Sequence, residues 1–116
     1  MDTPEAHDYP AALDYLSLVA GDAEAAALVA KLERAKLVRR KAKDILRASG
    51  LAALPRDNPH VACNLKKIRK GKRLSPVLLV RGDRRKAVPL TVADGYHRIC
   101  ASWHVDENAL IPCRLV

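Results

Sequence analysis

Apolar residues recur at helical spacing through the first half of the chain and gather in short continuous runs through the second. After Tyr9-Pro10, Leu13, Leu16 and Val19 share one face, which predicts a helix over 11–19 that ends at Gly21. Asp22 is a favourable N-cap, with Glu24 and Ala25 in the first turn behind it. Leu28, Leu32, Ala35, Val38, Ala42, Ile45 and Leu46 then form a stripe that predicts one long helix over 23–49, closed by Gly50. No Pro or Gly interrupts it, and Ala and Leu favour helix.

Leu54-Pro55-Arg56-Asp57-Asn58-Pro59 forces irregular backbone and is read as the boundary between a helical leader, 1–53, and a C-terminal unit, 54–116. Val61, Leu65 and Ile68 predict a short helix over 61–69, ending at Gly71. The run 77–80 reads as a buried strand, 82–87 as a charged loop, and 88–92 as a strand returning in a hairpin. Asp94-Gly95 turns the chain into a helix over 96–104, and 109–116 supplies a last strand, with Pro112 suggesting an edge. The expected fold class is α+β: an N-terminal helical segment followed by a small mixed sheet with packed helices. The leader is expected to pack on the same domain.

Composition narrows this picture. Aromatics are 3% and Phe is absent, so the core rests on Leu, Val, Ile and Ala. No run approaches the roughly 20 apolar residues of a membrane span, and the acidic start lacks the form of a signal peptide. Cys63, Cys100 and Cys113 suit reduced thiols, and a cytoplasmic protein is expected. The net charge of +8 is uneven, because residues 1–30 hold six acids and no base, leaving 21 bases against seven acids beyond them. That asymmetry points to an anionic partner or to a solvated basic surface.

The most informative chemistry lies at Asp94-Gly95-Tyr96-His97-Arg98. A strand ends at a Gly and a helix starts at once, so free backbone N–H groups and the helix dipole favour an anion there. Gly95 would let a phosphate approach the backbone, and His97 and Arg98 would place donors beside it. Asp94 would cap the helix or hold a divalent cation. The rival reading is an ordinary capped helix with a surface Arg.

The segments "LSPVLLVRG", "LTVADGYHRICASWHVDE" and "IPCRLV", with "LPRDNPHVACNLKKIRKGKRLSPV" upstream, resemble the ParB/sulfiredoxin superfamily over about residues 54–116. The resemblance implies a proline-led strand, a hairpin, a Gly-X-[His/Arg]-Arg helix start and a final Ile-Pro strand. Sulfiredoxins carry a catalytic Cys where Tyr96 stands, so their redox reaction is not expected here. ParB proteins bind CTP phosphates with Gly-Glu-Arg-Arg, and His97 stands at one of those arginines. Kinase-like relatives carry Asp-Gly-His-His-Arg, which Asp94 to Arg98 approaches most closely.

The implied site holds Gly95, Tyr96, His97 and Arg98 on the phosphates of a nucleoside triphosphate, with Asp94 on Mg2+ and with Lys72, Arg73 and Ser75 at the same pocket. In catalysis, Arg98 would stabilise phosphoryl charge and His97 would move a proton, as in a phosphotransferase or nucleotide hydrolase. The alternative is a non-enzymatic module that binds a protein partner or nucleic acid through Lys66, Lys67, Arg69, Lys70, Arg84 and Arg85. His97, Cys100 and His104 fall at spacings that could face one metal ion, whereas buried core roles are expected for Cys63, Cys100 and Cys113. The long helix either packs on its own domain or forms a homodimer, because one apolar face needs a partner surface.

Overall fold

The structure is a computed structural model that describes residues 3–116. In chain order the elements are α1 (Asp8–Ala20), α2 (Asp22–Arg34), β1 (Leu37–Lys41), α3 (Ala42–Ser49), α4 (Pro59–Arg69), β2 (Val77–Val80), β3 (Thr91–Asp94), α5 (Tyr96–Val105) and β4 (Leu110–Leu115). The fold class is α+β, with one four-stranded mixed sheet in the order β1-β4-β2-β3. β2 runs parallel to β4, and the other neighbours are antiparallel.

Alternation along the strands divides the core. Val77 and Leu79 of β2, Val92 of β3, and Ile111 and Cys113 of β4 face α3, α4 and α5. Leu78 and Ala93 point the other way and meet Ala12, Leu16, Ala25, Val29 and Leu32 of α1 and α2. The sheet is therefore buried on both faces, which explains why β2 reads as an unbroken apolar run.

The long helix expected over 23–49 is three elements. Its first part, α2, spends its apolar stripe on β2 and β4, so the long helical face on which a homodimer would have been built is not there. Arg114 Nη1 donates to the carbonyls of Glu33 at 3.0 Å and Ala35 at 2.9 Å, catching the end of α2. The chain then runs along β4 as β1, with Val38 opposite Cys113 and Arg40 opposite Ile111. Asp22 opens α2, but its side chain makes no capping bond.

Other expectations shift. The return strand begins at Thr91 rather than 88, since 84–86 form a 3-10 turn and Asp83 pairs with Val88. β4 is interior rather than an edge. Pro112 is tolerated because the β2 ladder starts only at Cys113, leaving β4 with β1 alone beside it at that point. Cys100 and Cys113 are buried, whereas Cys63 is exposed on α4 and is not a core residue. Burial pushes the Cys113 thiol up to about 11. Among the described residues no helix is long and apolar enough to cross a membrane.

Candidate functional site

The start of α5 is built by three neighbours. β3 delivers Asp94, and Gly95 turns the chain at φ 104°. A Cβ at Gly95 would lie 2.5 Å from Val77 Cγ1 and 2.9 Å from an Arg98 nitrogen. Close packing and a positive φ therefore already require glycine here, before any phosphate is considered. The Ile99 N–H donates to Gly95 O at 3.0 Å, so the amides of Tyr96, His97 and Arg98 precede the first internal bond of the helix.

Helix α4 forms the opposite wall. Asn58 caps it, its Oδ1 accepting from the His60 and Val61 amides at 3.0 and 3.2 Å. With Val61 and Leu65 in the core, the adjoining face carries His60, Cys63, Asn64 and Lys67 toward α5. Together with Asp94, Gly95, His97 and Arg98 they line a polar cavity of about 230 Å³. The His60 and His97 rings lie 4.8 Å apart. Partial burial, helped by His60, lowers the His97 pKa from its ordinary value.

Arg98 does not project freely into this cavity. It reaches Asp94 Oδ2 at 3.1 Å, the Pro76 carbonyl at 3.2 Å and Asp8 Oδ1 at 3.5 Å. Asp8, from the first turn of α1, is 1% exposed and also accepts from the Glu5 amide at 2.9 Å and the Ser75 hydroxyl at 3.4 Å. His7 lies 3.4 Å from it and 3.1 Å from Glu5. Burial pushes the Asp94 carboxyl up to about 6, against the opposing pull of Arg98 and with the help of Asp8. Asp94 does not cap α5, which has no side-chain cap.

The expected site residues thus divide. Asp94, Gly95, His97 and Arg98 converge. Tyr96 turns away, its hydroxyl donating to the Ala52 carbonyl. Arg73 and Ser75 line a separate cleft of about 310 Å³ on another side of Arg98, with Arg39 and Ser102. Lys72 lines neither cavity. His97, Cys100 and His104 do not share a metal ion: His104 Nε2 bonds the Leu54 carbonyl at 2.6 Å and Cys100 Sγ accepts from the Leu54 amide at 3.4 Å.

His60 and Asn64 were missed by sequence reasoning, although their i, i+4, i+7 spacing with Lys67 marks a polar face beside the apolar one. Asp8 carried no local signal. Lys66, Lys67 and Arg69 on α4 and Lys70 at its C-terminal end are exposed without a carboxylate partner among the described residues. Arg84 and Arg85 lie at the other end of the β2–β3 hairpin, so the two basic groups do not form one track. Comparison with protein-family models, curated proteins and solved structures gave no match.

Proposed function

We propose that this protein is a nucleotide-binding domain that holds a phosphate group in the cleft between α4 and the start of α5. The observation that carries the reading is the donor ring itself: unpaired amides of α5 faced by Lys67, His60, Asn64 and His97 around one polar cavity. The resemblance to the ParB/sulfiredoxin superfamily supports the same position. Arg98 contributes its field from behind while remaining paired with Asp8 and Asp94.

The donor set suits an anion and does not suit Mg2+. Apart from Asp94, the side chains of the described residues around the cavity are cationic or neutral, and Asp94 is engaged by Arg98. A phosphoryl transfer or hydrolysis at this place would draw on charge stabilisation by Lys67 and the α5 amides. His97, neutral at pH 7 and close to the cleft, would carry the proton.

The test is a calorimetric titration with ATP, CTP, GTP and inorganic phosphate. Binding of one of them, lost in Lys67→Ala and weakened in His97→Ala, is the expected result. It should tighten as pH falls through the lowered His97 pKa, because the protonated ring adds a donor. No binding by any of the four to the folded protein would overturn the proposal. Arg98→Ala is a poor probe here, because it also breaks a buried ion pair.

A second reading rests on the unpaired bases of α4. As a nucleic-acid surface, Lys66, Lys67, Arg69 and Lys70 would give a log–log salt slope of roughly −0.9 per phosphate neutralised. Neutralising Lys66, Arg69 and Lys70 would abolish that binding while sparing the nucleotide.

A further inference from the structure

A second cavity has no residue of α5 in its lining. It occupies about 670 Å³ between α3 and the loop joining β2 to β3, at the opposite end of the hairpin from Gly95. Its floor is aliphatic: Ile45 and Leu79 are 2% and 1% exposed, and Leu90 and Leu115 are half-buried beside them. Val88 stands on the rim with 48% of its surface open to water.

Three arginines come to this apolar surface, Arg40 from β1 and Arg81 and Arg84 from the β2–β3 loop. None has a carboxylate partner among the described residues. Among the described residues the one acid lining the cavity is Asp44, 3.4 Å from Lys43.

The walls are held in place before any ligand arrives. The Leu90 amide donates to Ala48 O at 3.1 Å, which ties the loop to α3. The Arg81 amide donates to Val116 O at 2.7 Å, which ties it to the end of the sheet. Asp83 and Val88 exchange two backbone bonds of 2.9 Å. Gly82 is required beneath them, because a Cβ there would collide with the backbone of Val88 and Pro89. A closed loop over a fixed floor is a binding cavity with little ordering cost.

We infer that this cavity binds a small amphiphile with an apolar body and a single anionic head, a carboxylate or a phosphate monoester. The volume falls within the range of small-molecule sites, roughly 300–1,000 Å³. The floor offers aliphatic side chains to the body, and the arginines offer forked donors to the head. The surplus of positive charge disfavours a cationic amphiphile, and the aliphatic floor suits an apolar chain rather than the polar sugars of a nucleic acid. The site is separate from the proposed phosphate cleft and does not depend on it.

The test is a titration of the 15N-labelled protein, below micelle-forming concentrations, with decanoate, decyl phosphate, decanol and decyltrimethylammonium. Saturable shifts with decanoate or decyl phosphate, confined to the amides around Arg40, of α3, of 79–90 and of 115–116, are expected. The tighter of the two identifies the head group. Replacing both Arg81 and Arg84 with Ala should weaken the anion on the order of tenfold while leaving decanol unchanged. Ala48→Trp, on an exposed helical position beside the cavity, should block both. Binding of the cationic amphiphile as tightly as the anions, shifts spread over the whole molecule, or no shift with either anion would each overturn the assignment. Nucleotide titration moves α4 and α5 instead, so failure of one site is read independently of the other.

Discussion

Asp94 sits where its proton is most contested. Burial favours the neutral acid, Arg98 at 3.1 Å favours the carboxylate, and Asp8 sides with burial. With its pKa pushed up to about 6 from 3.8, the folded state binds the proton more tightly than the unfolded one. The stability this group contributes is therefore fully present below pH 3.8 and is lost as pH rises through about 6. The difference in unfolding free energy between the protein and its Asp94→Asn variant should fall across that window, and a flat difference would contradict the account. Titrating groups that do not interact with Asp94, His97 among them, cancel in the comparison.

Arg98 is the counterpart at the same scale. Replacing it with Ala leaves Asp8 and Asp94 facing each other without their cation, a change that typically costs about 3–5 kcal/mol. Urea denaturation should show a loss of this order, whereas Lys67→Ala, on the exposed side of the same cavity, should alter stability by less than about 0.5 kcal/mol. Equal effects would mean that Arg98 is not a structural ion pair. The sequence made Asp94, Gly95 and Arg98 legible as a cluster, because they lie within one turn of each other. It could not reveal that Asp8 takes up the guanidinium, since that contact appears only when α1 docks.

Legibility among the elements followed the reach of their signals. α4, β2 and α5 announce themselves locally through Asn58-Pro59, an unbroken aliphatic run and Gly95. β1 does not. Leu37 to Lys41 holds two apolar residues followed by three bases, between sequences with strong helical preference and with no Gly or Pro from 22 to 49. What makes it a strand is the open edge of β4, a partner distant in sequence, and such pairing overrides local propensity. Its bases at the outer edge also discourage another chain from adding on.

A cross-link separates strand from helix. Val38 pairs with Cys113, and both side chains belong to the core on the α5 side. Introducing Val38→Cys should give a disulfide with Cys113 under oxidant, since directly paired Cα atoms lie within bridging distance. Leu37→Cys, whose side chain alternates to the other face, should not. Failure of the first, or equal yield from the second, would argue against the register.

At the scale of the molecule, the two apolar faces of the sheet make the N-terminal layer part of the core. Leu78 is fully buried and Ala93 is 5% exposed, and what covers them is Leu16, Val29 and Leu32 from α1 and α2. The segment that reads as a boundary is bonded to α5, through Tyr96 to Ala52 O, His104 to Leu54 O and the Leu54 amide to Cys100. The sheet draws β1 from ahead of that segment and β2, β3 and β4 from beyond it. Polar and proline-rich composition marked the segment as irregular, but composition could not report the bonds that pin it. A chain restricted to residues 54–116 would expose Leu78 and Ala93 on one face, remove β1 from the edge of β4 and take Asp8 from Arg98. It should therefore lose cooperative unfolding and the dispersed amide spectrum of a packed core. A fragment that keeps both would show that the C-terminal elements close a core unaided, and that the helical layer and β1 are additions to it.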